Sequence, residues 1–267
     1  FDAEVEGEPG VLRMPLDIAQ AVCDEAHKLG LRTSAHIEST EGVEVGLKAG
    51  VDTIEHGAPL TDELLKLFKK NGLGNASSLT CTLSPALPFA VLSPEKTHST
   101  HVQKVNGRVV YEGVATATRQ ALANGIPVGL GTDSACPFVT HYDMWREVVY
   151  FQRHTGVTPE FALHTATLKN AQLLGVASET GSIETGKSAD LIVLNANPLD
   201  DLCALRNVEQ VYMAGKPVKY KTKHLPKIDA ELDGIMNGLD NDPFVSEWNI
   251  AEEKKSLNPF AKRGTKE

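Results

Sequence analysis

Leu31-Arg-Thr-Ser-Ala-His36 and Val51-Asp-Thr-Ile-Glu-His56 are two short strand-like runs, each ending on a histidine. Residues 41–49 between them have helical spacing, and Gly50 closes them, as suits the left-handed residue that ends many helices. A strand, a helix and a second strand joined this tightly form a crossover, so the two strands run parallel. The pattern continues outward in both directions. Upstream, Pro15 opens a helix that ends at Gly30, with Ile18, Ala21, Val22 and Leu29 placed to share one face. Further upstream, Phe1-Asp-Ala-Glu-Val-Glu6 reads as a strand.

Downstream, Thr61 caps a helix carrying Leu64, Leu65, Leu67 and Phe68, which stops near Asn71-Gly72. Residues 73–80 form a weaker strand, followed by a long loop with Pro85, Pro88 and Pro94. A helix at 108–124 sets Val110, Val114, Ala117 and Ala121 on one side. Ile126-Pro-Val-Gly-Leu-Gly131 is a buried strand running into Thr132-Asp133. Two more helices are expected near 141–155 and 159–174. This alternation means an α/β fold on a parallel sheet, and both an open doubly wound sheet and a barrel satisfy it. After Gly181 the texture changes. Ala189-Asp-Leu-Ile-Val-Leu194 is a strand, and Val208–Val218 is a hairpin turning at Ala214-Gly215. From about 223 onward charge, Asn, Gly and Pro accumulate, and 252–267 reads as a solvated tail.

Composition excludes several classes. Apolar residues make up 41% and charged residues 23%, which is incompatible with a disordered chain. No apolar run is long enough to span a membrane. With 26 basic and 35 acidic residues the net charge is −9, which argues against a nucleic-acid partner. Cys23, Cys81, Cys136 and Cys203 form no C-x-x-C pair. Neither a disulfide framework nor a thiolate zinc site is indicated, and a reducing, cytoplasmic compartment is expected, with secretion left open.

Three polar residues close predicted strands: His36, His56 and Asp133. In a parallel barrel all strand C-termini open on one face, where residues distant in sequence converge. Imidazole nitrogen and carboxylate oxygen are both zinc donors, and a metal acidifies water for hydrolysis. A lone strand-end histidine is more often a hydrogen-bonded structural residue, and Asp133 also suits a turn cap. From spacing alone the metal and structural readings stand about level. His27, His154 and His164 read as ordinary helix residues, and Arg119 as a surface charge.

The chain resembles the amidohydrolase superfamily. The matching words are Ala35-His36, Asp52-Thr-Ile-Glu-His56-Gly57, Gly129-Leu-Gly-Thr-Asp133-Ser134, Thr158-Pro-Glu-Phe-Ala-Leu163, Ala166-Thr-Leu-Lys-Asn170-Ala171 and Leu174-Gly175. Gly181–Leu194, Asn197-Pro198 and Gly215-Lys216 complete them. Each word is weak alone; their order and spacing over residues 10–220 are specific. The Glu-His-Gly word looks most like the prolidase-like and imidazolonepropionase-like branch.

The resemblance implies the C-terminal part of a (β/α)8 barrel, about strands four to eight, over residues 1–180. Residues 181–222 would supply strands of a small β-sandwich, and 223–267 an extension. His36 and His56 would end the fifth and sixth strands and bind metal, most simply one or two zinc ions. Asp133 would end the eighth, ligate metal and act as general base and acid. The implied reaction is hydrolysis of an amide or peptide-like C–N bond in a small substrate such as a dipeptide, an acyl amino acid or a cyclic amide. His98, His101 and His141, in loops over the same face, and Glu6 are candidate substrate contacts. Homo-oligomer formation is compatible with all of this.

The family's first-strand His-x-His occurs nowhere in this sequence. Residues 1–6, the only stretch suited to the fourth strand, lack the lysine that bridges two metals in many relatives; Glu4 or Glu6 is the candidate substitute. A truncated chain is therefore the expectation. The rival reading is a noncatalytic fragment of this fold, serving as a subunit or interaction partner.

Overall fold

The computed structural model describes residues 4–68, 76–219 and 221–245. By contact density the chain divides into two compact units, Phe1–Asp133 and Ser134–Glu267.

The first unit is a run of helices and parallel strands. Helix α1 (Leu16–Lys28) follows Pro15. Strand β1 (Ser34–Ile37) leads to α2 (Thr40–Ala49), where the Ser39 hydroxyl accepts the Gly42 N–H and Gly50 takes a left-handed φ of 89°. Strand β2 (Thr53–His56) leads to α3 (Asp62–Leu67), capped by Thr61 as its sequence predicts. Strand β3 (Ser78–Cys81), the short helices α4 (Leu87–Val91) and α5 (Pro94–Thr97), the long α6 (His101–Ala123) and β4 (Val128–Leu130) complete the unit. The strands pair in parallel in the order β1-β2-β3-β4. Beneath them lie Ile54, Leu79, Val110, Val114, Ala117 and Val128, all buried.

Several expectations need correction here. Residues 4–7 form a bend and turn, not a strand. Gly7 N–H donates to Asn106 Oδ1 at 2.7 Å, and Asn106 Nδ2 donates to the Val5 carbonyl at 2.9 Å, so buried Asn106 in α6 takes up the backbone groups a strand would pair. The remainder of 1–6 lies outside the described residues, as do Asn71-Gly72, residues 73–75 of the weaker strand and the tail 252–267. Helix α6 starts seven residues before its expected position. The apolar residues named for one side of the helix begin at Val110, although Val102, Val105 and Val109 continue helical spacing upstream, and the start is set by a capping box: Thr100 accepts the Gln103 N–H while the Gln103 side chain accepts the Thr100 N–H. Of the residues whose spacing places them together along α1, Ile18, Val22 and Leu29 are exposed, and Cys23 is the buried residue of the helix. Arg119 is buried, and burial pulls its guanidinium pKa down to about 10.

The second unit holds α7 (Met144–Thr155), then α8 (Pro159–His164), a π-helical turn at Thr165–Lys169 and α9 (Asn170–Leu174) in one continuous run. The antiparallel strands β5 (Leu191–Leu194), β6 (Val208–Met213) and β7 (Lys216–Val218) follow. Ala214 and Gly215 both have positive φ, 48° and 74°, as a two-residue hairpin turn demands. Residues 226–238, expected within a polar extension, form helix α10. Its Leu232, Ile235 and Met236 are buried, and Asp233 receives Arg146 at 2.8 Å and Arg206 at 3.1 Å.

Candidate functional site

Along a strand, alternate residues share a face. Ser34, His36 and the following Glu38 therefore point to one side of β1, while Ile37 faces the core and is buried. Ile37 is the register partner of His56, so the two histidines sit one step apart on adjacent parallel strands. Their ring centroids lie 4.8 Å apart, edge to face.

His56 ends β2 with a φ of 67°, and Gly57 continues in the same left-handed region at 84°. A non-glycine residue in that region is strained unless its surroundings hold it there. The Gly57 N–H donates to the Ile37 carbonyl at 2.9 Å. A Cβ on Gly57 would lie 2.7 Å from Leu79 Cδ1. The strained corner is therefore locked from both sides and turns the imidazole inward, where it is buried. Burial first, then the neighbouring His36, push the His56 pKa down to about 4, against an opposing pull from Asp133. At neutral pH the ring is uncharged and has the free lone pair a donor needs.

Asp133 follows β4 with a φ of 53° and is exposed. Its charge acts on both His56 and Glu38. Glu38, which pattern reading missed, has a side chain only 5% exposed, with Oε2 3.8 Å from His36 Nε2. Burial raises its carboxyl pKa, His36 lowers it and Asp133 raises it again. The two-residue step from His36 to Glu38 puts both on one side of the strand, but nothing in the sequence distinguishes a buried carboxylate there from a solvated one. A cavity of about 660 Å3 whose lining includes Val11, Leu12, Met14 and Val22 also reaches His36 and Glu38.

The other candidates fall elsewhere. His98 ends α5 with a φ of 52°. His101 is the first residue of α6, not a loop residue, and its Nε2 lies 3.5 Å from Glu6 Oε2, both exposed. Glu4 faces Arg13 at 3.4 Å. His141 belongs to the second unit and stands edge-on to Tyr142 at 5.2 Å. The Tyr142 hydroxyl donates to Asp229 and accepts the Leu225 N–H, each at 2.9 Å. His27, expected to be unremarkable, bonds buried Asp52 at 2.8 Å and ties α1 to β2.

The donor set can be tested against a metal. With Zn–N bonds of ~2.0–2.1 Å at a tetrahedral angle, two imidazole centroids on one ion stand about 5 Å apart. His36 and His56 match that separation. Among the described residues, however, no group of three or more His, Cys, Asp or Glu side chains is arranged to hold an ion. His36, His56 and Asp133, the expected metal ligands, do not form such a group as they stand. His36, with a side chain 65% exposed, and Asp133 both face solvent. The imidazoles fit as two donors of a shell that these residues do not complete.

The Amidohydrolase family model matches residues 7–218. A crystal structure from Bifidobacterium longum, provisionally identified as a prolidase, is 44% identical, with a TM-score of 0.83 over 88% of this chain and 58% of that one. A Xaa-Pro dipeptidase with methionine bound in its active site is 30% identical, with a TM-score of 0.67 over 78% of this chain and 50% of its own. Imidazolonepropionase of Streptococcus sanguinis is 27% identical over 212 residues, 76% of this chain and 44% of that protein. The chain spans about half the length of the curated relatives it matches.

Proposed function

The chain belongs to the amidohydrolase family, and on that premise we propose that it forms the metal-binding and proton-transferring half of a hydrolase that cleaves an amide C–N bond in a small substrate. The observation that carries this reading is the pairing of His36 and His56 at 4.8 Å with Asp133 close enough to perturb His56. Strands β1 to β4 pair in chain order without a reversal. A barrel requires that order, whereas a doubly wound sheet reverses at a switch point. The reading therefore includes a (β/α)8 barrel, with β5–β7 contributing to a small sandwich.

His36 and His56 would hold the metal, zinc being the first choice for imidazole and carboxylate donors. When bound, the metal supplies Lewis acidity toward the carbonyl and acidifies water. Asp133 takes a proton from the attacking water and delivers it to the leaving nitrogen. Its exposed position gives it access to both. His56, kept neutral by burial, holds its ring fixed without competing for that proton. Dipeptides and cyclic amides are the substrates we would try first, a choice supported by the names of the relatives, prolidase, Xaa-Pro dipeptidase and imidazolonepropionase.

The test is release of free amine from a panel of Xaa-Pro dipeptides, acyl amino acids and cyclic amides, with zinc supplied. Activity that falls at least about a hundredfold in Asp133→Asn, with circular dichroism unchanged, supports the reading. Turnover equal in both proteins removes Asp133 from the chemistry. Absence of both turnover and zinc binding favours the rival, a noncatalytic fragment of this fold.

A further inference from the structure

We propose that a cavity at the start of α7 binds a small carboxylate with an aromatic body, its charge received by Arg146.

The cavity encloses about 580 Å3 and lies within the second unit, a volume typical of small-molecule sites. Its walls come from the start of α7, from β6 and β7, and from residues 221–229. The last of these follow the residues 7–218 that the family model matches.

The Arg146 side chain lines this cavity and is only 2% exposed. Its Nη2 donates to Asp233 Oδ1 at 2.8 Å, and its Nε lies 3.3 Å from Asp143 Oδ2. Its Nη1 is buried with no protein acceptor, which costs free energy unless something else accepts. The neighbouring carboxylates are already engaged. Asp143 accepts the Thr140 hydroxyl at 2.6 Å and the Trp145 Nε1–H at 2.9 Å. Asp233 also receives both terminal nitrogens of Arg206, each at 3.1 Å. Asp143 is the N-cap residue of α7, yet its side chain makes no capping bond, so it does not answer the partial positive charge of that helix end. One turn along α7, the Tyr150 hydroxyl is also buried without a partner, and the Arg146 charge acts on it. This side of the helix holds more donors than acceptors.

The walls suit a planar body. The guanidinium carbons of Arg146 and Arg206 lie 4.4 and 5.5 Å from the Trp145 ring centroid. The Tyr142 and His224 rings stand 4.5 Å apart, and Val208, Val211 and Val218 supply apolar surface. Lys221 adds a further positive charge to the lining. Asp143 and Asp229 line it too, so a singly charged carboxylate fits better than a dianionic phosphate. The guanidinium plane suits a carboxylate.

The test is titration of the full chain with phenylacetate, phenyl phosphate, acetate and phenethylamine, followed by calorimetry and by the indole N–H resonance of Trp145. Phenylacetate should bind saturably with a Kd of about 1 mM or below and shift Trp145, and the other three should bind more weakly. Arg146→Lys, which keeps the charge and loses the planar fork, should weaken phenylacetate roughly ten- to a hundredfold. Lys221→Glu, at an exposed position, should weaken it about threefold or more with circular dichroism unchanged, and decides the matter if Arg146→Lys fails to fold. No saturable shift of Trp145, phenethylamine or phenyl phosphate binding as tightly as phenylacetate, or affinity unchanged in the folded variants would overturn the proposal.

Discussion

His56 is the residue on which local sequence, strain and electrostatics meet. Its burial lowers its pKa from 6.5 to about 4. The unfolded chain therefore binds more protons than the folded one between those values. Stability is full above about pH 6.5 and falls as pH drops through 4, by about 3 kcal/mol for a shift of this size. Urea unfolding at pH 7.0 and pH 4.5 should show most of that loss, and His56→Gln should flatten the difference. Equal slopes in both proteins would mean that the imidazole is not desolvated. Gly57→Ala should be destabilising by ~2–3 kcal/mol, because it adds left-handed strain to a Cβ pressed on fully buried Leu79. An unfolding midpoint unchanged from the natural chain would contradict the locked corner. The strand-end histidines and Asp133 were legible because their residue types recur in one structural context. Glu38 was not, since a carboxylate two residues beyond a histidine looks the same whether it is buried or solvated.

At the scale of the element, what the sequence shows clearly is punctuation. Gly50, Thr61, Thr158 and the Ala214-Gly215 turn all sit where their chemistry predicts. Boundaries not set by such residues drifted. The start of α6 is fixed by Thr100 and Gln103, with Val102, Val105 and Val109 at helical spacing behind them. Thr100→Ala should lower stability by about 1 kcal/mol, and a thermal scan that leaves the midpoint unmoved would show the box to be ornamental. Helix α1 shows the limit of periodicity. Its spacing places Ile18, Ala21, Val22 and Leu29 on one face, and in the structure Ile18, Val22 and Leu29 are exposed. Periodicity shows which residues share a face and cannot show what that face meets.

On the scale of the whole molecule, the parallel run and the antiparallel sheet follow from the sequence, and the family follows from the order of its words. Closure of the sheet does not. Strand β1 and strand β4 each pair on one edge only among the described residues, and the chain spans only about half the length of the relatives it matches. Val11, Leu12, Met14, Ile18, Val22, Leu29 and Leu31 are exposed apolar residues within a short stretch of chain. Ile18→Lys with Val22→Lys should reduce binding of a hydrophobic dye and shift light scattering toward a smaller species. Unchanged dye binding would mean that the face is covered in solution.

The central proposal is that His36 and His56 are two donors to one cation, with Asp133 beside it as the proton acceptor. Anomalous diffraction collected at the zinc edge, from crystals of this chain grown with zinc, tests it most directly. The account predicts a peak within bonding distance of both imidazoles and beside Asp133. A zinc peak elsewhere on the chain, with none between His36 and His56, would contradict it.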